Sequence, residues 1–183
     1  MKILIDNQPL KPSPSMLPML IHYPEGLGGS LFSVSLAAEF IKSDFDLVFY
    51  SAYTQAREEL QRQLDFEIEI IHSVDQFKHG NLILDSGNET LLKRFLGHSL
   101  CEGEILLIKN YELLRRDTID DAMRREKIIL SGNLDAAPLD IKPFNTVISF
   151  ADNSNLPAKL PPLKKFESFW KSRKKSGIAR LVV

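Results

Sequence analysis

Met19-Leu20-Ile21-His22-Tyr23-Pro24-Glu25-Gly26-Leu27-Gly28-Gly29-Ser30 decides the fold. Its first five residues form a short, mostly apolar run, which predicts a buried strand. A glycine-rich turn follows. From Leu31 to Lys42, the residues Leu31, Val34, Ala38 and Ile41 recur at helical spacing, which predicts a helix. A glycine turn between strand and helix exposes backbone N–H groups beside a helix N-terminus, and that arrangement suits a phosphate. Five further apolar runs lie downstream: Asp46–Tyr50, Asn81–Leu84, Glu104–Ile108, Lys127–Leu130 and Thr146–Phe150. Most are continuous rather than alternating, as expected of strands covered on both faces. Helical stretches separate them at Thr54–Leu64, Thr90–Leu100 and Asp117–Arg125. Strand alternating with helix predicts a mostly parallel α/β sheet. Ligands on such sheets bind at the carboxyl ends of strands, so the loops there are the places to search.

The bulk numbers fit one globular unit. The chain has 183 residues, 44% hydrophobic and 26% charged, with a formal charge of -1. That excludes wholesale disorder and a global field pulling the protein to nucleic acid or an acidic membrane. A single cysteine, Cys101, excludes an intrachain disulfide and a multi-thiolate metal site. No apolar run reaches the ~18 residues a membrane helix needs, and the start has an Asp and a turn where a signal peptide is apolar. The expectation is a cytoplasmic protein with no membrane partner. Pro-rich patches divide the chain into an N-terminal arm or hairpin (1–17), a central domain (18–155), and a linker with a basic, aromatic tail (156–183).

Laid on the phosphate-loop pattern G-x-x-x-x-G-K-[ST], Tyr23 takes the first Gly, Gly28 the second, Gly29 the Lys and Ser30 the Ser/Thr. Two of the four positions depart. The lost lysine matters most, because it supplies the cation at the β- and γ-phosphates. Two readings of Glu25, Gly26, Gly28, Gly29 and Ser30 stand: a tight strand-to-helix turn, or a retained anion cradle.

On these residues the loop resembles the Gly-Pro-Glu-x-x-Gly-Lys-Ser/Thr loop of RecA-like P-loop ATPases of the RadA/KaiC branch. Residues 46–60 resemble that family's second strand and following helix, with Tyr53 and Thr54 where a water-polarising glutamate usually stands. Leu64 to Ser86 resembles the segment that follows in the KaiC branch. Glu104 to Leu114 resembles the Walker B strand, with Lys109 at the aspartate position. Lysine repels Mg²⁺ rather than holding its water shell. Leu82-Ile83-Leu84-Asp85 satisfies the same pattern, so Asp85 is the alternative metal carboxylate, with Ser30 its partner and Lys109 the substitute cation. Lys127–Asn133 resembles the sensor strand and Phe144–Asp152 a late strand. The resemblance implies a RecA-like three-layer domain with a central, mostly parallel sheet. With lysine, glutamate and aspartate replaced, it implies an inactive homologue. Relatives with lost motifs include recombinase accessory subunits and the RecA-like subunits of Elongator. The implied role is a structural or regulatory subunit, working with a protein partner or its own copies, in recombination, repair or RNA-related assemblies. No cofactor is expected; ATP or ADP held without turnover is the alternative.

The remaining residues give little chemistry. His22, His72, His79 and His98 have no metal-binding spacing, and Cys101 lies in no nucleophile motif. Glu58-Glu59 and Asp120-Asp121 read as solvated helix charges. The tail is different. Residues 163–180 carry +6, which leaves -7 for the rest. Lys164, Lys165, Lys171, Arg173, Lys174 and Lys175 surround Phe166, Phe169 and Trp170. Cations interleaved with aromatics suit a protein partner or nucleic acid. Leu163, Phe166 and Trp170 at i, i+3 and i+7 predict a helix with one apolar stripe. Residues 178–183 form a candidate edge strand of this sheet or a neighbouring subunit's.

Overall fold

The computed structural model describes residues 1–98, 103–152, 163–172 and 175–182. Cys101, Arg173, Lys174 and the linker residues 156–162 lie outside them. The described strands are β1 (Lys2–Ile5), β2 (Gln8–Pro9), β3 (Met19–His22), β4 (Leu47–Ser51), β5 (Glu69–Ile71), β6 (Leu82–Leu84), β7 (Ile105–Lys109), β8 (Ile128–Gly132), β9 (Thr146–Ser149), β10 (Glu167–Ser172) and β11 (Ser176–Val182). The helices are α1 (Gly29–Lys42), α2 (Thr54–Arg62), α3 (Glu89–Leu96) and α4 (Arg116–Ala122). All these strands join one sheet in the order β2-β1-β11-β10-β9-β3-β8-β7-β4-β6-β5. From β9 to β5 every pairing is parallel. From β9 outward to β2 every pairing is antiparallel.

The continuous apolar runs are explained by helices on both sheet faces. Successive strand residues point to opposite faces. Met19 and Ile21 of β3 join Phe49, Leu107 and Ile129 in the core under α1 and α2. Leu20 joins Val48, Tyr50, Leu106, Ile108 and Leu130 in the core under α3 and α4. Ten residues of α1 are buried, because α2 and β1 flank it while the sheet lies beneath. Phe32, in its first turn, is fully buried and meets Phe150 edge-on at 5.4 Å. This contact ties the start of α1 to the end of β9. Phe32→Ala is expected to cost about 3–5 kcal/mol of unfolding free energy, since it leaves a large cavity. Urea denaturation checks it; a loss below 1 kcal/mol would mean the site collapses freely.

Two expectations are overturned here. Residues 167–172 are a strand, not part of a helix. Phe166 and Trp170 are four apart, a spacing that satisfies both the helical and the strand period. Backbone pairing with β9 and β11 decides for the strand. It places Phe166 and Trp170 together against the α1-side core. β11 is also not an edge: it lies between β1 and β10. Both flanks of the chain therefore belong to the same sheet as the central strands.

Candidate functional site

The glycine loop leaves the carboxyl end of β3, between β8 and β9. Tyr23 N–H continues the strand by donating to Gly132 C=O at 3.0 Å. The chain then turns through Gly26 and Gly28, whose φ angles of 83° and 87° are left-handed and suit glycine. Gly28 is the N-cap of α1 and its C=O accepts from Phe32 N–H at 2.9 Å. No side chain caps this helix. The first-turn N–H groups of Gly29, Ser30 and Leu31 have no acceptor inside the helix, so the amide end of the cradle is present. Glu25, Gly26 and Ser30 are exposed.

Two rings close on this loop. The Tyr23 side chain lies against Gly29, so that a Cβ at position 29 would collide with the Tyr23 Cβ and ring. The missing lysine is thus more than a substitution: its room is filled. The Phe166 ring lies against Gly28 in the same way. Phe166 itself sits at a left-handed φ of 66°, on the turn entering β10. Leu181 N–H donates to its C=O at 3.0 Å and holds the turn. The Tyr23 hydroxyl lies 3.5 Å from Ser131 Oγ, which is 2.5 Å from Ser33 Oγ; Ser33 in turn donates to Gly29 C=O at 2.8 Å. Burial pushes the Tyr23 hydroxyl pKa well up, with Ser131's hydrogen bond pulling the other way.

The strand order separates the two strand ends, Lys109 and Asp85, considered for a metal carboxylate. β7 is one strand removed from β3, across β8, and ends at Lys109, in register with Ser131. β6 lies four strand spacings from β3, roughly 19 Å. Asp85, just beyond β6, therefore cannot share a metal with Ser30. It pairs with His72 Nδ1 at 3.3 Å. Among the described residues no cluster of three His, Cys, Asp or Glu side chains is placed to hold a metal.

Lys109 is 4% exposed. Its Nζ donates to Asn110 Oδ1 at 2.8 Å. Burial pulls its pKa down to about 8, with Glu112 opposing. Asn110, at a left-handed φ of 62°, passes the contact on through Nδ2 to Glu112 Oε1 at 3.4 Å. The Glu112 carboxylate lies over Gly132, and its Oε2 is buried without a partner. His22 is fully buried. Its Nδ1 accepts from Leu134 N–H at 3.1 Å, and its Nε2 has no partner. Burial lowers its pKa, against Asp135, Gly132 and Glu112. The carboxyl ends of β3, β7 and β8 thus meet in a buried polar group with one cation and one carboxylate. Such a group orders the strand ends. Glu112 and the two rings had no motif to announce them; they become visible only once the strands are placed.

The tail residues part company. Lys164, Lys165, Lys171 and Lys175 are exposed, whereas Phe169 and Trp170 are half-buried on opposite faces of β10. Lys165 Nζ sits 5.2 Å from the Phe166 ring centre, a cation–π contact. Arg180 pairs with Glu167 at 2.9 Å. No helix among the described residues is long and apolar enough to cross a membrane.

No protein-family model matches this chain, and no curated protein sequence matches it. Solved structures do. The genome packaging NTPase B204 of Sulfolobus turreted icosahedral virus 2, in complex with AMP, is similar at a TM-score of 0.66 and 11% identity, over 94% of this chain and 100% of that one. Its complex with ATP-gammaS gives 0.62 and 12%, over 90% and 96%. B204 of Sulfolobus turreted icosahedral virus, a DNA-packaging ATPase, gives 0.61 and 12%, over 90% and 97%. At such identities the likeness shows the fold. That fold is the α/β arrangement with a mostly parallel central sheet that these P-loop NTPases have, and the likeness does not show the RadA/KaiC branch.

Proposed function

We propose that this chain is a P-loop-fold subunit that does not hydrolyse nucleotide and acts through protein contacts, with copies of itself or with another protein. The observation that carries this reading is the filling of the loop from both sides: Tyr23 against Gly29 and Phe166 against Gly28. Lys109 supports it. An ammonium where Mg²⁺ needs a carboxylate opposes the charge stabilisation that phosphoryl transfer requires. The packaging NTPases of similar fold are known with nucleotides and nucleotide analogues.

Thermal melting with Mg-ATP and with ADP tests the reading. A ligand that binds only the folded state raises its stability, by about 2.7 kcal/mol at a hundred times its Kd. Ser30→Arg is expected to leave any shift at millimolar nucleotide unchanged, and the protein is expected to assemble in sedimentation velocity. A shift abolished by Ser30→Arg would overturn it and favour a nucleotide-holding switch, the reading that the uncapped amides of the first α1 turn support. The exposed lysines also suit a phosphate backbone. Binding of that kind would fall steeply with salt. Its variant is charge reversal at Lys164, Lys165 and Lys171; removal of 163–183 would take two strands out of the sheet.

A further inference from the structure

A cleft of about 940 Å³ lies at the opposite end of the sheet from the glycine loop. It opens at the amino ends of β3 and β9, under the β1–β2 hairpin. The size suits a drug-sized or nucleotide-sized ligand. Its walls are mixed. Leu10 and Met16 are apolar, and Trp170 contributes an indole. Lys11 and Lys175 are its cations, both exposed, and no acidic residue is among the lining. Neither ammonium is in an ion pair with a described residue. Two polar atoms of lining residues are left over: Trp170 Nε1, a donor, and Asn145 Oδ1, an acceptor. The other end of the Asn145 amide is committed, since its Nδ2 donates to Leu17 C=O. Both orphans are shielded from solvent and therefore closed to the cleft, so what the cleft presents is the indole face, the apolar walls and the two ammonium groups.

We propose that this cleft binds an aromatic anion of nucleotide size, independently of the glycine loop. The heteroaromatic ring packs on the Trp170 indole and the Leu10 and Met16 side chains. Its anionic group lies toward Lys11 and Lys175. A nucleobase supplies the ring and a phosphate supplies the charge, so a nucleoside monophosphate has the required chemistry. An inorganic anion lacks the ring, and an uncharged aromatic lacks the phosphate.

Trp170 is the chain's single tryptophan, so tryptophan emission reads this cleft alone. The experiment is a titration of that emission with AMP, with inorganic phosphate as the control. Saturable quenching by AMP and none by phosphate is expected. Ser30→Arg, which blocks the glycine loop, should titrate like the unaltered protein. The exposed pair Lys11→Glu and Lys175→Glu should bind at least about tenfold more weakly, with an unchanged circular dichroism spectrum. Absence of a saturable change at millimolar AMP overturns the proposal. So does quenching that the charge-reversed protein retains, or quenching lost in Ser30→Arg, which would move the ligand to the loop.

Discussion

Tyr23→Gly and Gly29→Lys, made together with Phe166→Ala, are expected to give a protein that binds nucleotide and still does not hydrolyse it. Each single change should be harmful. Tyr23 is 6% exposed, and emptying its place costs about 3–5 kcal/mol, as for other large buried rings. Lysine at position 29 collides with Tyr23, an overpacking worth about 1–3 kcal/mol or more. Together they remove the collision and fill the space, so the double variant should recover stability beyond the sum of the singles, by about 0.5–3 kcal/mol. The resulting Gly-Pro-Glu-Gly-Leu-Gly-Lys-Ser sequence satisfies the whole phosphate-loop pattern, and loss of the Phe166 ring uncovers Gly28. Calorimetric unfolding of the unaltered protein, the two singles, the double and the combined variant, with and without Mg-ADP, measures both effects. Strict additivity, or no ADP-dependent shift in the combined variant, would show that the rings are not what closes the loop. Turnover is expected only once Lys109 is also replaced by a carboxylate.

Lys109→Met is expected to stabilise the protein at neutral pH. The folded chain holds this lysine at a pKa of about 8, against ~10.4 in an unfolded chain. The unfolded state therefore binds the proton more tightly. The burden is full below pH ~8 and disappears as pH rises toward ~10.4, so stability from this group increases with pH across that window. Its size is about 3 kcal/mol at pH 7. The gain in Lys109→Met should be smaller, about 1–2 kcal/mol, because Glu112 then keeps a buried carboxylate without its nearby cation. Urea unfolding at pH 7 and pH 9.5 checks the sign: the unaltered protein should gain on the variant at the higher pH. A variant that is less stable at pH 7, with the same pH slope, would mean that Lys109 is held by contacts worth more than its desolvation.

The strand–loop–helix unit at residues 19–42 was legible because three independent signals coincide there: apolar run, glycine turn and helical period. The same holds for the runs that became β4, β6, β7, β8 and β9. Legibility failed where the signal depends on a partner. β5 is three residues long at an edge, too short for a pattern. β10 carries a spacing of four between Phe166 and Trp170, which either period explains. In sequence Lys109 is the first reading of the metal-carboxylate position and Asp85 the alternative, and the order β3-β8-β7-β4-β6 sets the two apart. Tyr23 was legible as a mismatch and not as a plug. A mismatch says what chemistry is lost, whereas the collision at Gly29 says that the loss is built into the packing. Phe166 is the extreme case, because nothing in the sequence connects it to Gly28.

The place of β11 has a consequence for how this chain is made. Lys2 pairs with Val182 and Ile5 with Ala179, so β1 meets its main partner only after some 170 further residues have followed it from the ribosome. Until then β1 has the two-residue strand β2 as its only neighbour in the sheet. The seven parallel strands from β9 to β5 can assemble before that moment, since none of their pairings needs the hairpin of β10 and β11. Phe166 then arrives with that hairpin. During synthesis the Gly28 side of the glycine loop therefore stays open until β10 and β11 have been made, and it closes as the antiparallel half of the sheet zips.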